Sequence, residues 1–208
     1  MSSPAQTSPT APAPAPGFDP LVFWVQHRQK VILLAGFFVA ALMIFFASEL
    51  LRNRKLSGAA QALAEAKDSA GLQKVISDYA GTAAAGDAHL LLAENLRKEG
   101  KLDEAVKTLR AFIDKNPEHP LISGAWTSLA ATLEMQGKSD EALSAYQKVS
   151  TTFATSFSAP VALLGQARIF KQKGKAEDAR RLYDQVINQF RDSMFAAQAT
   201  RESQQLKK

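Results

Sequence analysis

The chain has 208 residues, with 25 basic and 20 acidic side chains for a net charge of +5, three histidines and no cysteine. The missing thiols exclude disulfide scaffolds, thiolate metal sites and cysteine nucleophiles, and three separated histidines argue against a multi-histidine metal centre. Residues 56–208 carry 20 basic and 18 acidic groups, so most of the excess charge comes from Arg28, Lys30, Arg52, Arg54 and Lys55, which bracket an apolar run and point to lipid headgroups before nucleic acid.

Residues 1–17, MSSPAQTSPTAPAPAPG, are Pro, Ala and Ser with almost nothing to bury. This composition predicts a disordered, extended tail. Residues 18–30 read as a juxtamembrane segment, with Phe23 and Trp24 placed where aromatic rings settle at the headgroup level. Residues 31–47, VILLAGFFVAALMIFFA, contain no polar side chain, and the run continues to Leu51. As a helix, residues 31–51 reach about 31 Å at about 1.5 Å each, the thickness of a hydrocarbon core. A secretory signal has a shorter apolar core and a small-x-small cleavage site, which FFASEL lacks, so the expectation is an uncleaved single-pass anchor in contact with lipid. Two basic residues before the run and three after it leave its orientation open. Residues 52–69 read as a helical connector.

The region from residue 70 to 208 is organised by a repeat. GKLDEA begins at Gly100, GKSDEA at Gly137 and GKAEDA at Gly174, each offset by 37 residues. The same offset relates Leu109, Tyr146 and Tyr183, then Phe112, Val149 and Val186, and also Ala88, Ala125, Ala162 and Ala199. Each unit reads as two amphipathic helices joined at a glycine that can take the left-handed conformation, residues 87–99 and 103–115 in the first case. Asp103-Glu104, Asp140-Glu141 and Glu177-Asp178 place carboxylates in the first turn of each second helix, where they complement exposed amides. Full units cover residues 86–117, 123–154 and 160–191. An incomplete unit precedes them at Leu72, Val75 and Ile76, and residues 193–207 read as a capping helix. No such unit can bury its apolar face alone, so neighbours must stack into an array.

This pattern resembles the tetratricopeptide repeat family. Gly100, Ala105 and Pro117, then Trp126, Leu129, Gly137, Ala142 and Tyr146, then Gly174, Ala179 and Tyr183 match its signature types. The units are longer than the family's usual period, Ala154 and Arg191 stand where a closing proline is expected, and His89 and Leu163 stand at the register of Trp126. The resemblance implies an all-α fold, a right-handed superhelical solenoid of helix hairpins behind one transmembrane helix. The order of tail, span and repeats also resembles the YfgM-type ancillary subunits of the SecYEG translocon. That resemblance implies the bacterial inner membrane, periplasmic repeats, and partnership with the translocon and a membrane-anchored prolyl-isomerase-like chaperone.

Chemistry is not signalled. The carboxylate pairs recur in every unit, whereas a catalytic pair should break the repeat. GxxxxGK[ST], HExxH, GxSxG and GxGxxG are absent, so an enzyme, a cofactor, a metal and a small-molecule substrate are not expected. The last 49 residues hold ten basic against five acidic groups, but Phe170, Tyr183 and Phe190 fall on apolar registers rather than offering stacking platforms, and nucleic acid ranks below a protein or membrane contact. In the family resembled, first helices line the concave face. Here that implies a partner-binding groove of Leu90, Glu94, Arg97, Thr127, Ala131, Glu134, Leu164, Arg168 and Lys171. The resulting functional expectation is a membrane-anchored interaction scaffold of the bacterial envelope that assists translocon-associated chaperoning or assembly, with a scaffold for cell-wall synthesis or secretion machinery as the alternative.

Overall fold

The computed structural model describes residues 20–206. The tail expected over residues 1–17, the start of the juxtamembrane segment and the last residue of the expected cap lie outside them. All regular elements among the described residues are helices: α1 (Pro20–Glu65), α2 (Ser69–Asp78), α3 (Ala83–Lys98), α4 (Leu102–Lys115), α5 (Ile122–Met135), α6 (Ser139–Thr152), α7 (Ala159–Gln172), α8 (Ala176–Gln189) and α9 (Met194–Gln205). The chain divides into two compact units, Met1–Asn53 and Arg54–Lys208.

In the first unit, α1 is long and apolar enough to cross a membrane. Its large side chains point outward in every direction. Leu33, Phe37, Ile44 and Phe46 are all mostly exposed within the protein. Over residues 31–47 the helix is apolar on every face.

In the second unit the end of α1 runs antiparallel to α2. Lys55 Nζ donates to the Ala80 carbonyl at 3.0 Å, Gly58 lies under the Tyr79 ring, and Ala62, Leu63 and Ala66 pack against Leu72 and Val75. Asp68 caps α2 through the Gly71 amide at 2.7 Å, and Thr82 caps α3 through the Ala85 amide at 3.2 Å. That cap starts α3 four residues ahead of the position expected from apolar periodicity, because Thr82 satisfies an otherwise orphaned donor.

From α3 onward the chain is a stack of hairpins, α3 with α4, α5 with α6 and α7 with α8, closed by α9. Gly100, Gly137 and Gly174 take φ of 76°, 75° and 71°, the left-handed turn that only glycine enters without steric cost. Ala105, Ala142 and Ala179 are fully buried where the two helices of each hairpin cross, and Ala88, Ala125, Ala162 and Ala199 are fully buried one register away. Leu109, Tyr146 and Tyr183, with Phe112, Val149 and Val186 beneath them, form the repeating core. Burying each such side chain contributes about 1.5–3 kcal/mol, and much of that burial comes from the neighbouring hairpin. Successive first helices also touch, α5 with α7 and α7 with α9. The architecture is therefore the all-helical repeat solenoid that the 37-residue period predicts.

Candidate binding face of the first helices

The nine residues expected to form a groove occupy three positions on α3, α5 and α7. Leu90, Thr127 and Leu164 share one register, Glu94, Ala131 and Arg168 the next, and Arg97, Glu134 and Lys171 the third. Spacings of four and three residues put them on one face of each helix. The structure sends the apolar members inward. Leu90 packs against the central core and Leu164 is 6% exposed. Thr127 Oγ1 donates to the Ser123 carbonyl at 2.9 Å.

The charged members find partners within the chain. Arg97 pairs with Glu94 on its own helix, and Lys98 reaches the same carboxylate at 3.6 Å. Lys171 Nζ donates to Glu202 at 3.0 Å and to Gln205 at 3.5 Å in α9. Arg168 of α7 donates through Nε and Nη2 to the two oxygens of Glu134 in α5, at 2.7 and 2.8 Å. The Tyr146 hydroxyl donates to the same carboxylate at 3.2 Å.

Burial of the Tyr146 ring, reinforced by the Glu134 charge, pushes its hydroxyl up to about 12. Hydrogen bonding to Glu134 raises the Arg168 guanidinium above its already high value. Burial also raises the Tyr183 hydroxyl, with Glu202 adding to the shift. These shifts keep both phenols neutral and the arginine charged near neutral pH. Among the described residues, no three histidines, cysteines or carboxylates come together as a metal-binding group.

Two adjoining cavities open on this face. One of about 460 Å³ brings together Ala131, Glu134, Met135 and Arg168, and one of about 430 Å³ brings together Leu164, Arg168, Lys171, Tyr183 and Glu202. Arg168 and Gln172 belong to both. Leu90, Glu94, Arg97 and Thr127 line neither.

Sequence reasoning missed two further features. Among the described residues, no side chain caps α4, α6 or α8. Instead, first-turn carboxylates accept from the end of the next unit's first helix: Gln136 Nε2 donates to Asp103 at 2.8 Å, and Lys173 pairs with Asp140. The Lys173 ammonium holds the Asp140 carboxyl below its usual range. The second feature is a cleft of about 620 Å³ between α4, α5 and α6, floored by Ile113, Trp126, Leu129 and Leu133 and edged by the Arg110–Glu141 pair at 3.0 Å. One period later the equivalent cleft keeps Leu163 and Leu182 but is otherwise lined by polar side chains, Gln147, Ser150, Thr151, Gln166 and Gln185 among them. Trp126, an aromatic at a register held elsewhere by His89 and Leu163, was the signal for the apolar version.

Several basic side chains of the C-terminal region are met by carboxylates of their own or the preceding hairpin. Arg180 pairs with Glu177 at 3.6 Å, Arg181 with Asp178 and Lys173 with Asp140, while Lys175 lies 5.9 Å from the Phe170 ring centre.

Comparison with known proteins places this geometry among repeats. The family described as tetratricopeptide repeat-like domain matches residues 23–207, a span that includes most of α1 as well as the hairpins. No curated protein matches the chain significantly. Crystal structures of Podosopora anserina kinesin light chain nearly identical TPR-like repeats are similar to it at TM-scores of 0.52 and 0.51, the first a point variant of the second. Identities are 18% and 20%, and each match covers 76% of this chain and 87% of that one, a likeness of fold.

Proposed function

We propose, from the premise that this chain belongs to the tetratricopeptide repeat-like domain family, that it is a single-pass membrane protein whose repeats hold another protein beside the bilayer. The repeat fold is characteristically a non-catalytic protein-interaction module, and no enzyme family is matched. The observation that carries the reading is the combination of an α1 whose residues 31–47 are wholly apolar with a first-helix face that holds two adjoining cavities. The more specific form places the chain in the bacterial inner membrane with its repeats in the periplasm, assisting the SecYEG translocon and a membrane-anchored prolyl-isomerase-like chaperone.

The cavities suit side chains of a polypeptide better than a small molecule, because each is open and mixes apolar walls with paired charges. Gln172 borders both cavities, is exposed, and belongs to no ion pair or core cluster. Crosslinking in intact membranes, followed by pull-down, tests the proposal. The chain should recover translocon subunits, and Gln172→Trp should reduce that recovery several-fold with helicity unchanged. Recovery confined to wall-synthesis or secretion components would replace the translocon reading with the alternative envelope scaffold. Protease digestion of intact and permeabilised cells tests the compartment, and cleavage of the repeats from the cytoplasmic side alone would overturn the periplasmic placement.

A further inference from the structure

The repeat is broken at the cleft between α4, α5 and α6. Ile113 and Leu129 stand there at positions that the next cleft fills with Ser150 and Gln166, which close on each other through a 2.9 Å hydrogen bond. On the α6 wall, Ser144 and Ala145 stand where α8 has Arg181 and Leu182, so shorter side chains leave a space of about 620 Å³ open. Trp126 lines that space and is only partly buried by the core behind it. A half-covered tryptophan in a cleft is the kind of group that anchors protein contacts.

The two walls also carry free charges of opposite sign. At one end Arg110 of α4 and Glu141 of α6 close on each other at 3.0 Å. Asp114, one turn further along α4, and Lys148, two turns further along α6, line the same cleft and are exposed. Neither side chain has an ion-pair partner among the described residues. One period later the two positions are Thr151 and Gln185, so the hairpin itself does not require these charges. An occupant complementary to both walls sets an apolar ridge between a cationic flank facing α4 and an anionic flank facing α6. An amphipathic helix does so, because the residues on either side of its apolar stripe diverge to opposite flanks. An extended strand would turn alternate side chains away from the cleft, and an apolar small molecule would use neither charge.

We infer that this cleft is a second docking site, for an amphipathic helix of another protein with one basic and one acidic flank, whose apolar ridge packs on Trp126. The site shares no residue with the two cavities of the first-helix face and does not depend on α1.

The chain has two tryptophans, so Trp24→Phe makes Trp126 the sole indole reporter. The full chain in detergent is titrated with two fluorescein-labelled, lactam-stapled helical peptides, each presenting leucines at i, i+3 and i+7. One carries lysine on one flank and glutamate on the other, and its twin carries glutamate on both. The mixed-flank peptide should blue-shift Trp126 emission and bind several-fold more tightly than its twin. Asp114→Lys should invert that preference with circular dichroism unchanged. Trp126→Leu, the residue type at the equivalent Leu163, should weaken the mixed-flank peptide several-fold as read by fluorescein anisotropy. A preference that ignores Asp114→Lys overturns the cleft as the site, and failure of both peptides to bind overturns the proposal. A Trp126 blue shift that grows with protein concentration and blocks the peptide marks a second copy of the chain as the occupant and overturns a helix from another protein.

Discussion

Arg168 and Glu134, 34 residues apart, meet through two parallel hydrogen bonds of 2.7 and 2.8 Å that join the second hairpin to the third. The Glu134 side chain is 14% exposed and that of Arg168 is 49% exposed, so the carboxylate is the desolvated partner. Arg168→Ala leaves that carboxylate with only the Tyr146 hydroxyl and should cost about 1–2 kcal/mol, the half-exposed arginine limiting the loss. A double-mutant cycle with Glu134→Gln, read from thermal melts followed by circular dichroism, should return a coupling of about 1 kcal/mol. Additive single effects would show that the pair contributes nothing.

The same register is unfilled one unit earlier. Arg97 corresponds to Glu134 and Ala131 to Arg168, so the first junction has a cation facing a methyl group. Ala131→Glu should recreate the bridge with reversed polarity and stabilise by about 0.5 kcal/mol, raising the melting temperature by about 1–2 °C. In an Arg97→Ala background the gain should vanish; a gain that persists would trace to a contact other than Arg97, since glutamate is no better a helix former than alanine.

Gly165 is required by the ring it covers. A Cβ there would lie 2.4 Å from Tyr146 Cζ, and the ring cannot retreat because it is 1% exposed and its hydroxyl is tied to Glu134. Overpacking of about 1–3 kcal/mol outweighs the gain of up to about 1 kcal/mol from replacing a helical glycine. Gly165→Ala should thus be destabilising. Tyr146→Leu, the residue type at the equivalent Leu109, should remove most of that additional penalty in the double variant.

Tyr146 also sets an alkaline limit. Its hydroxyl titrates at 10.0 when free and is pushed up to about 12 in the fold. Between those values the unfolded chain binds fewer protons than the folded one, so the stability that burial of the neutral phenol provides is present below the lower value and lost as pH rises through the upper. Tyr146→Phe should cost about 1 kcal/mol at neutral pH by deleting the hydroxyl's bond to Glu134. The gap between wild type and variant should stay constant up to about pH 9 and close as pH rises past 10.0 toward about 12, as read from urea midpoints. A constant gap would show that the hydroxyl titrates equally in both states.

Backbone and core were legible because they obey one period. A glycine that must turn left-handed, an alanine where helices cross and a bulky residue three to four positions later have to recur wherever the hairpin recurs, and Gly137, Ala142 and Tyr146 do so with their counterparts. The candidate face was less legible. Glu134, Arg168 and Lys171 read as groove residues open to a partner because their partners within the chain lie 31 to 34 residues away, an offset fixed by how far one hairpin is staggered against the next. That stagger arises from side-chain interdigitation between helices and is not written in any single helix. Once known, it explains Asp103 with Gln136, Asp140 with Lys173 and Arg110 with Glu141 as well.

Contact between Lys55 and the Ala80 carbonyl, with Gly58 beneath Tyr79, seats the incoming chain on the first layer of the array. Any mechanical load pulling along the polypeptide at that end is borne first by this seat, then by each layer in turn. The array would peel like stacked tiles lifted from one side rather than shear apart as a block, yielding in several small steps at modest force.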